Sequence, residues 1–208
     1  MSPAEKPDAK DDSYRHLSFV MKKDIPLFFP LLQLGVMVRS RVGCSVMTFL
    51  SEEMEISRET IEKIQSIFLE GSPVDDLESA MVKDGSVLAL SAAMPGLVGA
   101  TLRRGGAYSS FRSGITYHET GGHCASGEGF VRIKLFNLLM AELGPGLLKK
   151  GIFVESSLLM DFLRGQSEDF WSGCRQSILD GEPVDPGVLR DGIWTARKEK
   201  VFLSLTVS

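Results

Sequence analysis

Apolar and polar positions alternate at period two in RHLSFV (Arg15 to Val20), which places Leu17 and Phe19 on one side of a strand. The same alternation returns in VRIKLF (Val131 to Phe136), with Ile133 and Leu135 as the apolar pair. A shorter run, Gly35-Val36-Met37-Val38, predicts a second strand, and Gly151-Ile152-Phe153-Val154 predicts its counterpart. After each run the spacing turns helical. Ser45 stands where an N-cap belongs, ahead of Val46, Phe49 and Leu50, and Ser157 takes the same place in SLLMDFL. A further short helix is expected after Ser57, with Ile61 and Ile64 on one face. A strand at Ile67 to Leu69, or at Ile178 and Leu179, then enters a tight turn at Glu70-Gly71 or Asp180-Gly181. Lys83-Asp84-Gly85 turns into a last strand, Val87 to Ser91, because Asp-Gly readily supplies positive φ.

These elements come in two sets. Leu69-Glu70-Gly71-Ser72-Pro73-Val74-Asp75 matches Leu179-Asp180-Gly181-Glu182-Pro183-Val184-Asp185 without a gap. LLQLGVMV (Leu31 to Val38) matches LLKKGIFV (Leu147 to Val154), CSVMTFL matches SLLMDFL, and LAL (Leu88 to Leu90) matches LSL (Leu203 to Leu205). The landmarks keep one order, which implies an internal duplication. The expected organisation is a tail over 1–14, a first unit over 15–91, a connector over 92–130 and a second unit over 131–208.

Strand, strand, helix, a strand ending in acid-Gly-x-Pro-Val, then Asp84-Gly85 and a last strand resembles the ubiquitin-like β-grasp superfamily. It looks most like the group of the molybdopterin-synthase small subunit and the thiamine-pathway sulfur carrier. The resemblance implies an α+β fold of two tandem β-grasp units joined by a Gly-rich connector. Sulfur carriers of that group react through a C-terminal Gly-Gly that is adenylated and thiolated, whereas this sequence ends Leu205-Thr206-Val207-Ser208. Its nearest equivalent is internal: Leu102-Arg103-Arg104-Gly105-Gly106, similar to the ubiquitin tail. A carrier would need cleavage after Gly106.

The 208 residues are 43% hydrophobic and 24% charged, the composition of an ordinary globular chain. The net charge of −4 argues against a nucleic-acid surface over the whole molecule but leaves room for a local basic patch. Cys44, Cys124 and Cys174 form no CxxC pair, so a reduced cytoplasmic setting is the simpler expectation. The acidic N-terminal stretch lacks the pattern of a secretory signal. The most apolar run, IPLFFPLLQLGVMV, is interrupted by Pro30 and Gly35 and shorter than the roughly 20 residues a bilayer span requires. It reads as core, with a membrane-surface segment as the alternative.

Between Ala92 and Tyr117 stand Arg103, Arg104 and Arg112 and no acid, on an otherwise acidic chain. Pro95 suits the first turn of a helix through Leu97, Val98 and Leu102, with Gly105 closing it. Arginines at such an end also match the helix dipole. With Gly105 and Gly106, the three arginines form a candidate site for an anion or an acidic partner, through guanidinium forks and approachable backbone N–H groups. His118, Glu119, His123 and Cys124 in YHETGGHC are weak metal candidates that lack a second ligand pair, and a solvated linker is the better reading. No phosphate loop, dinucleotide fingerprint or nucleophile elbow is present. Glu52, Glu53 and Glu55 read as a solvated helix face, and Trp171 and Trp194 as core. The expectation is a non-enzymatic protein-binding or adaptor module with no cofactor and no catalytic residue. It would have a protein partner and bind neither nucleic acid nor membrane. The alternatives are a precursor or degenerate sulfur carrier or modifier, and a small-anion or metal-binding protein using the connector.

Overall fold

The computed structural model describes residues 14–22, 25–119, 126–192, 194 and 199–208. It is mixed α/β, with parallel and antiparallel strand pairs, and the chain divides into two units. One is Leu32–Gly144. The other joins the chain up to Leu31 to Pro145–Ser208, so the N-terminal strand β1 (Arg15–Met21) belongs with the C-terminal third.

Helix α1 (Phe29–Leu34) ends one residue before Gly35, whose φ of +112° is open to glycine and strained for other residues. Strand β2 (Val36–Val42) follows, then β3 (Cys44–Ser45) and α2 (Val46–Thr48), which runs on as a π-helical turn, Phe49–Glu53. Next come α3 (Arg58–Lys63), β4 (Ser66–Leu69), β5 (Ser72–Pro73), β6 (Met81–Val82), β7 (Val87–Ser91), α4 (Gly96–Leu102) and β8 (Gly127–Phe136). In this unit the sheet order is β2-β8-β7-β4-β5, with β8 parallel to β7 and the other neighbours antiparallel.

Helix α5 (Leu138–Lys150) contains the division at Gly144 and Pro145, and its last turn, in the other unit, ends before Gly151, again left-handed at φ +101°. After it come β9 (Ile152–Glu155), α6 (Ser156–Arg164), α7 (Glu168–Gly173), β10 (Cys174–Leu179), β11 (Glu182–Pro183), α8 (Pro186–Asp191) and β12 (Lys200–Val207). The order is β9-β12-β1-β10-β11, with β12 parallel to β1. Position for position, β1 occupies the place that β7 holds in the first sheet, and β12 the place of β8.

The turns of the repeated motif show the same correspondence in hydrogen bonds. Glu70 and Gly71 have φ of 51° and 79°, and Asp180 and Gly181 of 50° and 90°, the paired positive φ of a primed hairpin turn. Each turn acid grips the neighbouring strand twice. Glu70 N–H donates to the Val87 carbonyl (3.0 Å) while Val87 N–H donates to Glu70 Oε1 (2.9 Å). Asp180 N–H donates to the His16 carbonyl (2.8 Å) while His16 N–H donates to Asp180 Oδ1 (2.8 Å). His16 of β1 thus stands where Val87 of β7 stands.

The units are therefore cut elsewhere than the expected 15–91, 92–130 and 131–208. The pattern read from the sequence fixes which face of a strand is buried but not which strand lies beside it. Leu17, Phe19 and Met21 of β1 and Val131, Ile133 and Leu135 of β8 are all fully buried, as the period-two alternation requires. Ser45 caps its helix as expected, accepting from Thr48 N–H, and the helix expected after Ser57 forms with Ser57 as its cap, accepting from Thr60 N–H. Helix α6 departs from expectation, because Glu155 rather than Ser157 is its N-cap residue. The apolar run around α1 is core, with Phe28, Leu31, Leu32 and Val36 fully buried. No helix among the described residues is long and apolar enough to cross a membrane.

Phe19 lies with its ring centroid 5.8 Å from Phe28, 6.3 Å from Phe170 and 6.5 Å from Trp171. Phe19→Ala is expected to cost about 3–5 kcal/mol. Native-state hydrogen exchange should show the lost protection in β9, β10 and β12, with β2, β4 and β7 unaffected.

Candidate functional site

Beyond Ser91 the chain leaves the sheet, and the segment to Glu119 folds back onto the Leu32–Gly144 unit. Asn137 Nδ2 donates to Ser91 Oγ (3.0 Å) and to the Ala93 carbonyl, fixing the exit. Gly99 in α4 lies against the carbonyl of Met94, where a Cβ would come within 1.7 Å of the oxygen, so any larger residue would push the two segments apart. At the end of α4, Ser66 Oγ donates to the Leu102 carbonyl (3.3 Å). Arg104 N–H donates to the Gln65 carbonyl (2.7 Å) and its Nη2 to the Ile61 carbonyl (3.2 Å).

The strongest fastening is Arg112, in a short 3-10 helix, Ser109–Arg112. Its side chain is 3% exposed and forms an ion pair with Asp75 at 2.6 Å. Its Nε donates to the Thr101 carbonyl (2.7 Å), Nη1 to Thr116 Oγ1 (3.0 Å) and Nη2 to Asp75 Oδ1 and the Arg103 carbonyl. Asp75 Oδ1 also accepts Gly105 N–H at 3.3 Å. One carboxylate oxygen therefore binds both the turn at Gly105 and the Arg112 side chain. Further on, Tyr117 N–H donates to the Pro73 carbonyl of β5 (2.8 Å). Glu119 accepts from Tyr117 Oη (2.9 Å), Lys83 Nζ (2.8 Å) and Met81 N–H (3.3 Å). The hydrogen bond from Lys83, followed by that from Tyr117, holds the Glu119 carboxyl below the usual carboxylate range. Burial, reinforced by Glu119, pushes the Tyr117 phenol up.

The structure thus separates the residues expected to form one basic site. Arg103 is exposed, Arg104 is half-buried and bound to the Ile61 carbonyl, and Arg112 is turned inward with each of its three nitrogens hydrogen-bonded. Gly105, at φ +62°, and Gly106 make a turn rather than an open cradle. Of the metal candidates, His118 is exposed, Glu119 is held as described, and His123 and Cys124 lie outside the described residues. Among the described residues no group of three His, Cys, Asp or Glu is placed to hold a metal. Asp75 was missed by the sequence reading, although it closes the repeated motif. Its counterpart Asp185 serves differently, capping α8 through Gly187 N–H (2.7 Å).

Besides exposed polar residues such as Arg103 and Ser113, the fastened segment presents several large apolar side chains outward. Leu97 (74% exposed), Val98 (63%), Tyr108 (47%), Phe111 (78%) and Ile115 (58%) are half of the ten large apolar side chains exposed among the described residues. Helix α4 packs against the 3-10 helix, and the Tyr108 and Phe111 rings lie 6.2 Å apart. These five residues are grouped on one short segment rather than scattered over the chain.

Arg112→Met removes the cation and leaves Asp75, whose side chain is 34% exposed, without its partner. The expected loss is about 2–3 kcal/mol, below the 3–5 typical of a fully buried pair, because water reaches the carboxylate. Arg112→Lys should recover little of it, since one ammonium cannot span the Thr101, Thr116 and Asp75 acceptors. Urea denaturation of the three proteins checks both.

Comparison with protein-family models, with curated proteins and with solved structures finds no match.

Proposed function

We propose that this protein is a non-enzymatic protein-binding module in which the 92–119 segment is the docking surface. The carrying observation is the contrast on that segment. Its inner side is fastened by the Arg112–Asp75 pair, and its outer side leaves Leu97, Val98, Phe111 and Ile115 more than half exposed. A pre-ordered apolar surface binds without the entropic cost of ordering a loop, and aromatic residues such as Tyr108 and Phe111 are frequent anchors of protein interfaces. The exposed Arg103 at the end of α4 would favour an acidic rim on the partner.

The same reading takes each unit as a β-grasp-like domain from a duplicated ancestor. Support comes from the matched strand orders, the parallel strand pair at the centre of each sheet, and the equivalent grip of Glu70 and Asp180. Within this reading the alternative of a cleaved carrier is the weaker one. A protease binds its substrate extended, whereas Arg104, Gly105 and Gly106 each donate their N–H to a folded partner: the Gln65 carbonyl, Asp75 Oδ1 and the Arg103 carbonyl.

The test pairs Val98→Ser/Phe111→Ser with photo-crosslinking from a benzophenone side chain at position 111 in the native host. The exposed substitutions should leave stability within about 0.5 kcal/mol of the parent. One discrete crosslinked partner, lost from affinity purification with the double variant, is the expected outcome. An unchanged partner set in the variant, or no discrete adduct, counts against the proposal.

A further inference from the structure

The docking surface proposed above is built from helical turns. Between Ser91 and Glu119 the described elements are α4 and the 3-10 helix Ser109–Arg112. The carbonyls of Thr101, Leu102, Arg103 and Arg112 accept within the Leu32–Gly144 unit, and the N–H groups of Phe111 and Ile115 donate to the Tyr108 and Arg112 carbonyls. With no strand among its described residues, the segment offers a partner side chains rather than a ladder. The same condition falls on the partner. An extended peptide laid over Leu97, Val98, Phe111 and Ile115 would strip water from its own N–H and C=O groups against apolar side chains that cannot replace it. A helix keeps those groups bonded internally and presents only its side chains.

Charge sets the rim of the partner. From Ala92 to His118 the sequence contains no acid, and of the three arginines there only Arg103, at the end of α4, is exposed. Asp75 holds Arg112 and Gly105 N–H, Asp76 accepts from Glu78 and Ser79 N–H, and Glu119 holds Lys83, Tyr117 and Met81 N–H. Glu62 of α3 is exposed beside Ile61, so the positive character belongs to the segment and not to its surroundings. A second copy docking through the same surface would bring two acid-free segments together, which like charge disfavours. A lipid surface is also a poorer fit, since basic segments that hold anionic headgroups use clusters of about four to eight cations.

We infer that the docking element of the partner is an amphipathic helix with acidic residues flanking its apolar stripe. The inference rests on the docking reading above and adds the shape and charge of what docks. Apolar residues at helical spacing meet Leu97 and Val98 on α4 and Phe111 on the 3-10 helix, and a flanking carboxylate meets Arg103.

The test uses the full chain with fluorescein-labelled peptides of about 18 residues, about 27 Å long as helices. One carries a leucine stripe at helical spacing flanked by glutamates, a second has lysine in place of every glutamate, and a third is the first with a central proline that breaks the helix. By anisotropy at low salt the glutamate peptide should bind about fivefold or more tightly than the lysine peptide, a preference that shrinks as salt is raised. The proline peptide should bind about tenfold or more weakly than the glutamate peptide. Arg103→Glu should erase or reverse the ranking of the two charged peptides, and Val98→Ser/Phe111→Ser should weaken the glutamate peptide about tenfold. Thermal denaturation identifies any variant that has lost its fold, and Arg103→Gln then takes the place of Arg103→Glu. The inference is overturned if the glutamate peptide does not bind, if the lysine or proline peptide binds as tightly, or if vesicles of phosphatidylcholine and phosphatidylserine displace it. The docking reading keeps its own readout. A discrete crosslink from position 111 on a partner segment that is not an acidic helix overturns this inference and leaves that reading standing, whereas the absence of any discrete crosslink overturns both.

Discussion

The insertion of β1 between β10 and β12 is the constraint on which the C-terminal unit depends. Without it, β10 and β12 would each lose a full ladder, and Phe28, Phe170 and Trp171 would lose the Phe19 ring that they surround. The strand is held by register along seven paired residues with β12, by the Asp180 grip on His16, and by Ser18 Oγ against Ser204 Oγ at 2.9 Å. The C-terminal sheet is thus incomplete until the first strand of the chain returns to it. The other unit has no such need, because β7 and β8 are both its own.

One repeated motif serves both units up to its last residue. Leu-acid-Gly-x-Pro-Val builds the same hairpin twice, and Val74 and Val184 N–H close it on the Ile67 and Ser177 carbonyls (2.8 and 3.0 Å). The two aspartates that follow then part ways. Asp185 starts a helix, while Asp75 binds Arg112 and Gly105 N–H and so fastens a segment without a counterpart among the described residues of the other unit. The proposed docking surface arises from that divergence: the same carboxylate that could cap a helix instead holds the 92–119 segment so that its apolar residues face outward.

The parts of this architecture set by local chemistry were legible in the sequence. Acid-Gly turns at Glu70-Gly71 and Asp180-Gly181, the serine cap at Ser45, the helix after Ser57, and the buried parity of β1 and β8 each follow from a few adjacent residues. What escaped depends on distant partners. Nothing in RHLSFV distinguishes β12 from β7 as its neighbour, since both offer the same alternation. Arg112 read as a surface charge because the acid that buries it lies 37 residues earlier in the chain.

Paired cysteines test the strand arrangement most directly, in a chain with Cys44, Cys124 and Cys174 changed to Ser. Because Ser18 and Ser204 face each other across the parallel β1–β12 ladder, Ser18→Cys/Ser204→Cys should form an intrachain disulfide readily under mild oxidation, as peptide mapping would show. The unexchanged tandem arrangement would instead set Ser18 beside Ala89, the partner that Lys134 has in β8. A disulfide forming in Ser18→Cys/Ala89→Cys, and not in Ser18→Cys/Ser204→Cys, would contradict the account.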